Sequence, residues 1–67
     1  MEEEEIGWLW QNHGMLFFCN DKENKSERRY VGALRTKQNQ FSRGNLKALS
    51  QGIAIQVRYM KGEVGEK

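Results

Sequence analysis

Sixty-seven residues with 37% hydrophobic content and seven aromatics (two Trp, two Tyr, three Phe) suffice for one small domain and are too few for two. A single cysteine excludes an intramolecular disulfide, and the longest apolar run, Met15 to Cys19, is far too short for a membrane-crossing helix. The formal charge of +2 hides a segregation: eight Lys/Arg and no Asp or Glu stand between Arg28 and Lys61, a local charge of +8 (8 − 0), while the nine acids lie outside it.

Glu2 to Glu5 repel one another and have nothing to bury, which predicts a disordered acidic arm over residues 1–5 and one domain over residues 6–67. An N-terminus of Met followed by four glutamates is unlike a signal peptide, and together with the lone Cys19 it predicts a cytoplasmic setting. Ile6 to Trp10 is β-branched and aromatic and reads as a strand. Asn12-His13-Gly14 is a turn signal, and Met15 to Cys19 returns as the second strand of a hairpin. Asn20 to Glu27 is polar and without periodicity, a loop. Arg29 to Thr36 reads as a third strand and Lys37 to Gln40 as a second loop. Ser42 to Ser50 forms a short helix, with Ser42 as N-cap, Phe41 and Leu46 as a hydrophobic staple and Gly52 at its end; a single turn starting near Asn45 is the alternative. Ile53 to Met60 alternates cleanly, Ile53, Ile55, Val57 and Tyr59 on one face and Ala54, Gln56, Arg58 and Met60 on the other. Gly62 and Gly65 mark a terminal turn. This order predicts an all-β fold, a small barrel that hides its sheet edges, with one short helical turn before the last clear strand.

The segment Ile6-Gly7-Trp8-Leu9-Trp10-Gln11-Asn12-His13-Gly14-Met15-Leu16-Phe17-Phe18 resembles the opening of cold-shock domains, which typically runs V-K-W-F-N-x-x-K-G-F-G-F-I. Without a gap, Ile6 falls on the valine, Trp8 on the tryptophan, Leu9 on the phenylalanine, Gly14 on the glycine of the first RNA-binding motif and Phe17 on that motif's second aromatic. Asn45 to Val57 looks like the family's G-F-K-S-L-x-x-G-Q-x-V-x-F, with Lys47, Leu49 and Gly52 matching outright. Tyr30-Val31-Gly32-Ala33 can be laid on F-V-H-F, the second motif, at the expense of about five extra residues before Asn45. The resemblance implies a five-stranded OB-type barrel that binds single-stranded RNA or DNA. Several positions depart from it. Met15 stands for a stacking phenylalanine, Leu16 for a glycine, His13 for a lysine, and Gly32 and Ala33 for a histidine and a phenylalanine. The family's last strand follows the closing turn, and this chain ends at Lys67, which predicts a barrel that is open, completed at its edge by a protein partner, or cut from a longer protein. Such departures resemble the degenerate cold-shock domains of multi-domain RNA-binding proteins, some copies of which bind RNA poorly, and the alternative function is that of a protein-interaction or spacer module.

In the cold-shock reading Trp8, Met15, Phe17 and Tyr30 form an exposed platform for bases. Alternation agrees for β-strand residues 15–18: if Leu16 and Phe18 face the core, Met15 and Phe17 face out. The competing reading makes all four core. Trp10 has no family counterpart and is either packing or an additional stacking surface. Arg35, Lys37, Arg43, Lys47 and Arg58 are candidates to track a phosphate backbone, with ordinary solvation as the alternative for each. His13 lies in the hairpin turn, able to donate to phosphate or simply to be a turn residue. One His and one Cys fall short of a zinc site, and no cofactor motif is present. Nor does Cys19 with His13 make a nucleophile pair, for want of a third orienting group, so the reading is of a non-enzymatic binding domain.

Overall fold

A computed structural model describes residues 4–22 and 25–67. Glu2, Glu3 and the loop positions 23 and 24 lie outside the described residues.

Apolar side chains alternate along the first strand, β1 (Glu4–Asn12): Leu9 is buried and Trp8 is 43% exposed. That alternation directs one face of the sheet to a core and leaves the other to solvent. The chain reverses at His13 and Gly14, whose φ values of 54° and 77° are both positive, as a two-residue type I′ hairpin requires. The Gln11 side chain accepts a hydrogen bond from the Gly14 N–H at 2.9 Å and steadies the turn. β2 (Met15–Asn20) then pairs antiparallel with β1, Trp10 opposite Phe17 and Trp8 opposite Cys19. β3 (Arg29–Ala33) pairs with the far side of β2 after a loop that contains a 3-10 turn over Lys25–Glu27.

The third strand is three residues shorter than expected. A bulge between Leu16 and Phe17 shifts its register, and Gly32 adopts a φ of 142°, which L side chains rarely reach. The Leu34 N–H then bonds to the Gly14 carbonyl at 2.8 Å, and the Thr36 hydroxyl bonds back to the Ala33 carbonyl at 2.9 Å. The first bond adds a last rung to the β2–β3 ladder, and the second favours a helical turn directly after it. The end of the expected strand and the expected loop are both helical: α1 (Leu34–Lys37) followed by a 3-10 turn over Gln38–Gln40.

The eight-residue helix is present in full. α2 (Arg43–Ser50) starts at Ser42, whose hydroxyl accepts from the Asn45 N–H at 3.2 Å. Phe41 and Leu46 both join the core around it. At the other end the Gly52 N–H bonds to Leu49 and the Ile53 N–H to Ala48, at 3.1 and 2.9 Å. That pair of bonds is a Schellman cap. It commits Ile53 to the helix end, so β4 (Ile55–Met60) begins two residues later than expected and Ile53 is 53% exposed.

The strand thought to be missing is formed within the chain. After a turn at Lys61 and Gly62, β5 (Glu63–Glu66) pairs with β4, and Val64 is buried. The sheet runs β3-β2-β1-β4-β5, all pairs antiparallel, curled into a half-barrel of OB type. Leu9, Leu16, Phe18, Leu49, Val57 and Val64 form its closed core, with α2 packed on that side. The barrel stays open between β3 and β5. The segment from α1 to the following 3-10 turn touches β3 at one end and β5 at the other, so helix, not strand pairing, spans the gap.

The expected acidic arm does not include Glu4 and Glu5. Both belong to β1, opposite Met60 and Tyr59 of β4. Their repulsion is relieved because neighbouring strand residues face opposite ways and each meets an arginine. Glu4 lies 3.5 Å from Arg58. Glu5 takes two bonds from Arg29, at 2.7 and 3.0 Å, and one from the Asn20 amide at 2.8 Å. The Arg29 guanidinium also lies 5.2 Å from the Phe18 ring and 5.4 Å from that of Tyr59, two rings stacked on each other at 5.1 Å.

Candidate nucleic-acid interface

Side chains that oppose one another across antiparallel strands share a face. The pairing of Trp10 with Phe17, and of Phe17 with Tyr30, therefore draws a row of aromatics across β1, β2 and β3. Their centroids are 6.2 and 6.1 Å apart, the first pair tilted by 33° and the second edge-on at 66°. Trp8, two residues from Trp10 on the same strand, continues the same face, and Met15 stands two residues from Phe17. Trp8, Met15 and Tyr30 are 43%, 41% and 61% exposed, while Phe17 and Trp10 are half-buried between them. The reading of these aromatics as core is set aside by their exposure: the core lies on the opposite face.

Arg28 completes the surface. Its guanidinium sits 5.2 Å from the Phe17 centroid, within cation–π range, and it makes no ion pair among the described residues. Beside the row, Trp8, Trp10, Cys19, Asp21, Arg28 and Ala54 help to line an open cleft of about 790 Å³.

The basic residues expected to form a rim do not converge. Arg58 shares the outer face through β4, but at the far end, opposite Ile6 and Gly65. It is held there by Glu4 and by the Glu66 carbonyl, which accepts from its Nε at 3.1 Å. Lys37 lies along Gly32, in the space a side chain there would occupy, and its stem covers backbone. Arg35 is exposed on α1; Arg43 and Lys47 are exposed on α2, whose apolar side packs on the core. His13 is exposed at the hairpin tip. Reading along the sequence missed Arg28 and Asp21 as members of this face. Arg28 was legible in principle: it stands two residues before Tyr30, the spacing that puts strand residues on one side.

Among the described residues no three His, Cys, Asp or Glu side chains are grouped to hold a metal, and no helix is long and apolar enough to cross a membrane. Compared with protein-family models, curated proteins and solved structures, the chain matches none.

Proposed function

We propose that this domain binds single-stranded RNA or DNA, stacking bases on the outer face of its sheet in the manner of cold-shock domains. The observation that carries the reading is the solvent-reachable row Trp10–Phe17–Tyr30 with Trp8 beside it and, over its centre, Arg28, which has no ion pair among the described residues. Aromatic side chains grouped on the solvent face of a small domain mark an interaction surface, and every base offers a π-face to such a surface. The strand spacing suits successive bases of an extended single strand, while Arg28 supplies positive charge beside the row. A double helix keeps its bases stacked within and would not present them to this surface.

The test is binding of short single-stranded oligonucleotides to wild type and to Phe17→Ala. Phe17 is the middle of the row and only half-buried, so its loss removes stacking without opening the core. Affinity falls by about 1–3 kcal/mol for the base it carries. Equal affinity of the two proteins contradicts the reading.

A further inference from the structure

The cleft next to the aromatic row has chemistry of its own. Trp8 and Trp10 form its aromatic wall, and small residues, Cys19 and Ala54 among them, leave it depth. Two oppositely charged groups border it, Asp21 and Arg28. Asp21 is set in place by its backbone: its N–H bonds to the Ile6 carbonyl at 3.1 Å, and the following Lys22 N–H bonds to the Asn20 side chain at 2.8 Å. The Asn20 amide is itself consumed by Glu5. Asp21 is exposed, and its carboxylate accepts no hydrogen bond among the described residues. The cleft thus offers one acceptor-only group and one donor-only group, neither in an ion pair among the described residues, beside two indoles.

We infer that this cleft takes a guanine of the bound strand. The inference rests on the reading that the aromatic face binds single strands, and it adds a base preference. A carboxylate only accepts hydrogen bonds, so it favours a base edge with adjacent donors. Guanine alone carries two, N1–H and the N2 amino group, side by side. Uracil and thymine present one N–H flanked by carbonyl oxygens, which a carboxylate repels. Adenine and cytosine offer a single amino group beside an acceptor. Guanine also carries O6 and N7, the paired acceptors to which an arginine fork donates. One base can therefore satisfy Asp21 on one edge and Arg28 on another while stacking on a tryptophan. A cationic ligand, the other common occupant of an aromatic and acidic pocket, would meet Arg28.

The experiment compares three single-stranded oligonucleotides at fixed salt: uridines alone, the same strand with one central guanosine, and the same strand with inosine there, which lacks the N2 amino group. Wild type binds the guanosine strand about tenfold more tightly than the uridine strand, and inosine loses most of that gain. Asp21→Ala brings the guanosine and uridine affinities together. Guanosine monophosphate binds at least about tenfold more weakly than the guanosine strand, because it has no neighbours to stack on the row. Equal wild-type affinity for guanosine and uridine strands overturns the guanine assignment while leaving single-strand binding intact. A preference that survives in Asp21→Ala overturns it too. Free nucleotide binding as tightly as the strand overturns the strand-bound form. Failure to bind any strand removes both this assignment and the reading beneath it.

Discussion

At the scale of single residues, two arginines on one face differ in what already holds them. Arg28 rests over Phe17 and makes no ion pair among the described residues, whereas Arg58 is engaged by Glu4 and by the Glu66 carbonyl. A phosphate must compete with those charged and polar partners for Arg58 and with the Phe17 ring for Arg28. For a strand of uridines alone, which has no guanine to occupy Arg28, Arg28→Ala should therefore make the salt dependence of binding shallower, by about 0.7 in the slope of log affinity against log salt. Arg58→Ala should leave the slope within error of wild type. The reverse order in a salt series would reassign the phosphate track to the β4 side. Trp8 and Phe17 were legible in the sequence because strand alternation and motif spacing agree there. Asp21 was not, since a loop has no period and only the folded backbone carries it to the rim of the cleft.

Among the elements, β1 shows how a glycine shapes the sheet. A Cβ at Gly7 would run into the Cys19 carbonyl and the Phe18 ring, so β1 and β2 approach where β1 has no side chain. Phe18 then stacks on Tyr59, and the Arg29–Glu5 pair closes over them. Gly7→Ala should destabilise the domain by about 1–3 kcal/mol through overpacking, visible as a lower urea midpoint at unchanged slope. A midpoint equal to wild type would mean that the contact relaxes freely. Most elements were readable from pattern: the hairpin from its turn, the helix from Ser42 and Gly52, β4 from its alternation. The misjudged boundaries share a cause. Thr36 left β3 because the Gly32 backbone and the bond from the Thr36 hydroxyl to Ala33 turn the chain, and Ile53 left β4 because the helix cap needs its N–H. Each depends on a partner distant in sequence or on backbone geometry, and composition records neither. β5 was passed over because four residues rich in glycine and glutamate become a strand only beside β4.

For the whole molecule, the folded structure rearranges the charge segregation seen along the chain. The acids placed before the basic window return to it through β1, where Glu4 meets Arg58 and Glu5 meets Arg29. The window's field is thereby reduced on the β4 side and left open at Arg28. The same pairing ties stability to pH. Hydrogen bonds from Arg29, then from Asn20, hold the Glu5 carboxyl below its usual value of 4.5. A depressed folded-state value stabilises fully above the unfolded value, and the contribution is lost as pH falls through the folded one. Glu5→Gln should therefore be less stable than wild type at neutral pH, by at most about 1 kcal/mol for a pair this exposed, with the gap closing in acid. A gap that persists unchanged into strong acid would place the effect in packing instead of charge.

The central claim is that the outer face of the sheet holds a single strand by stacking under a positive charge. It is tested most directly by titrating the protein with a short single-stranded oligonucleotide at several salt concentrations while following tryptophan emission. Trp8 and Trp10, the two tryptophans of the chain, both lie on that face, so a stacked base reports where it binds. The account predicts saturable quenching whose affinity weakens steadily as salt rises. Emission that does not respond to any RNA or DNA strand at low salt would contradict it.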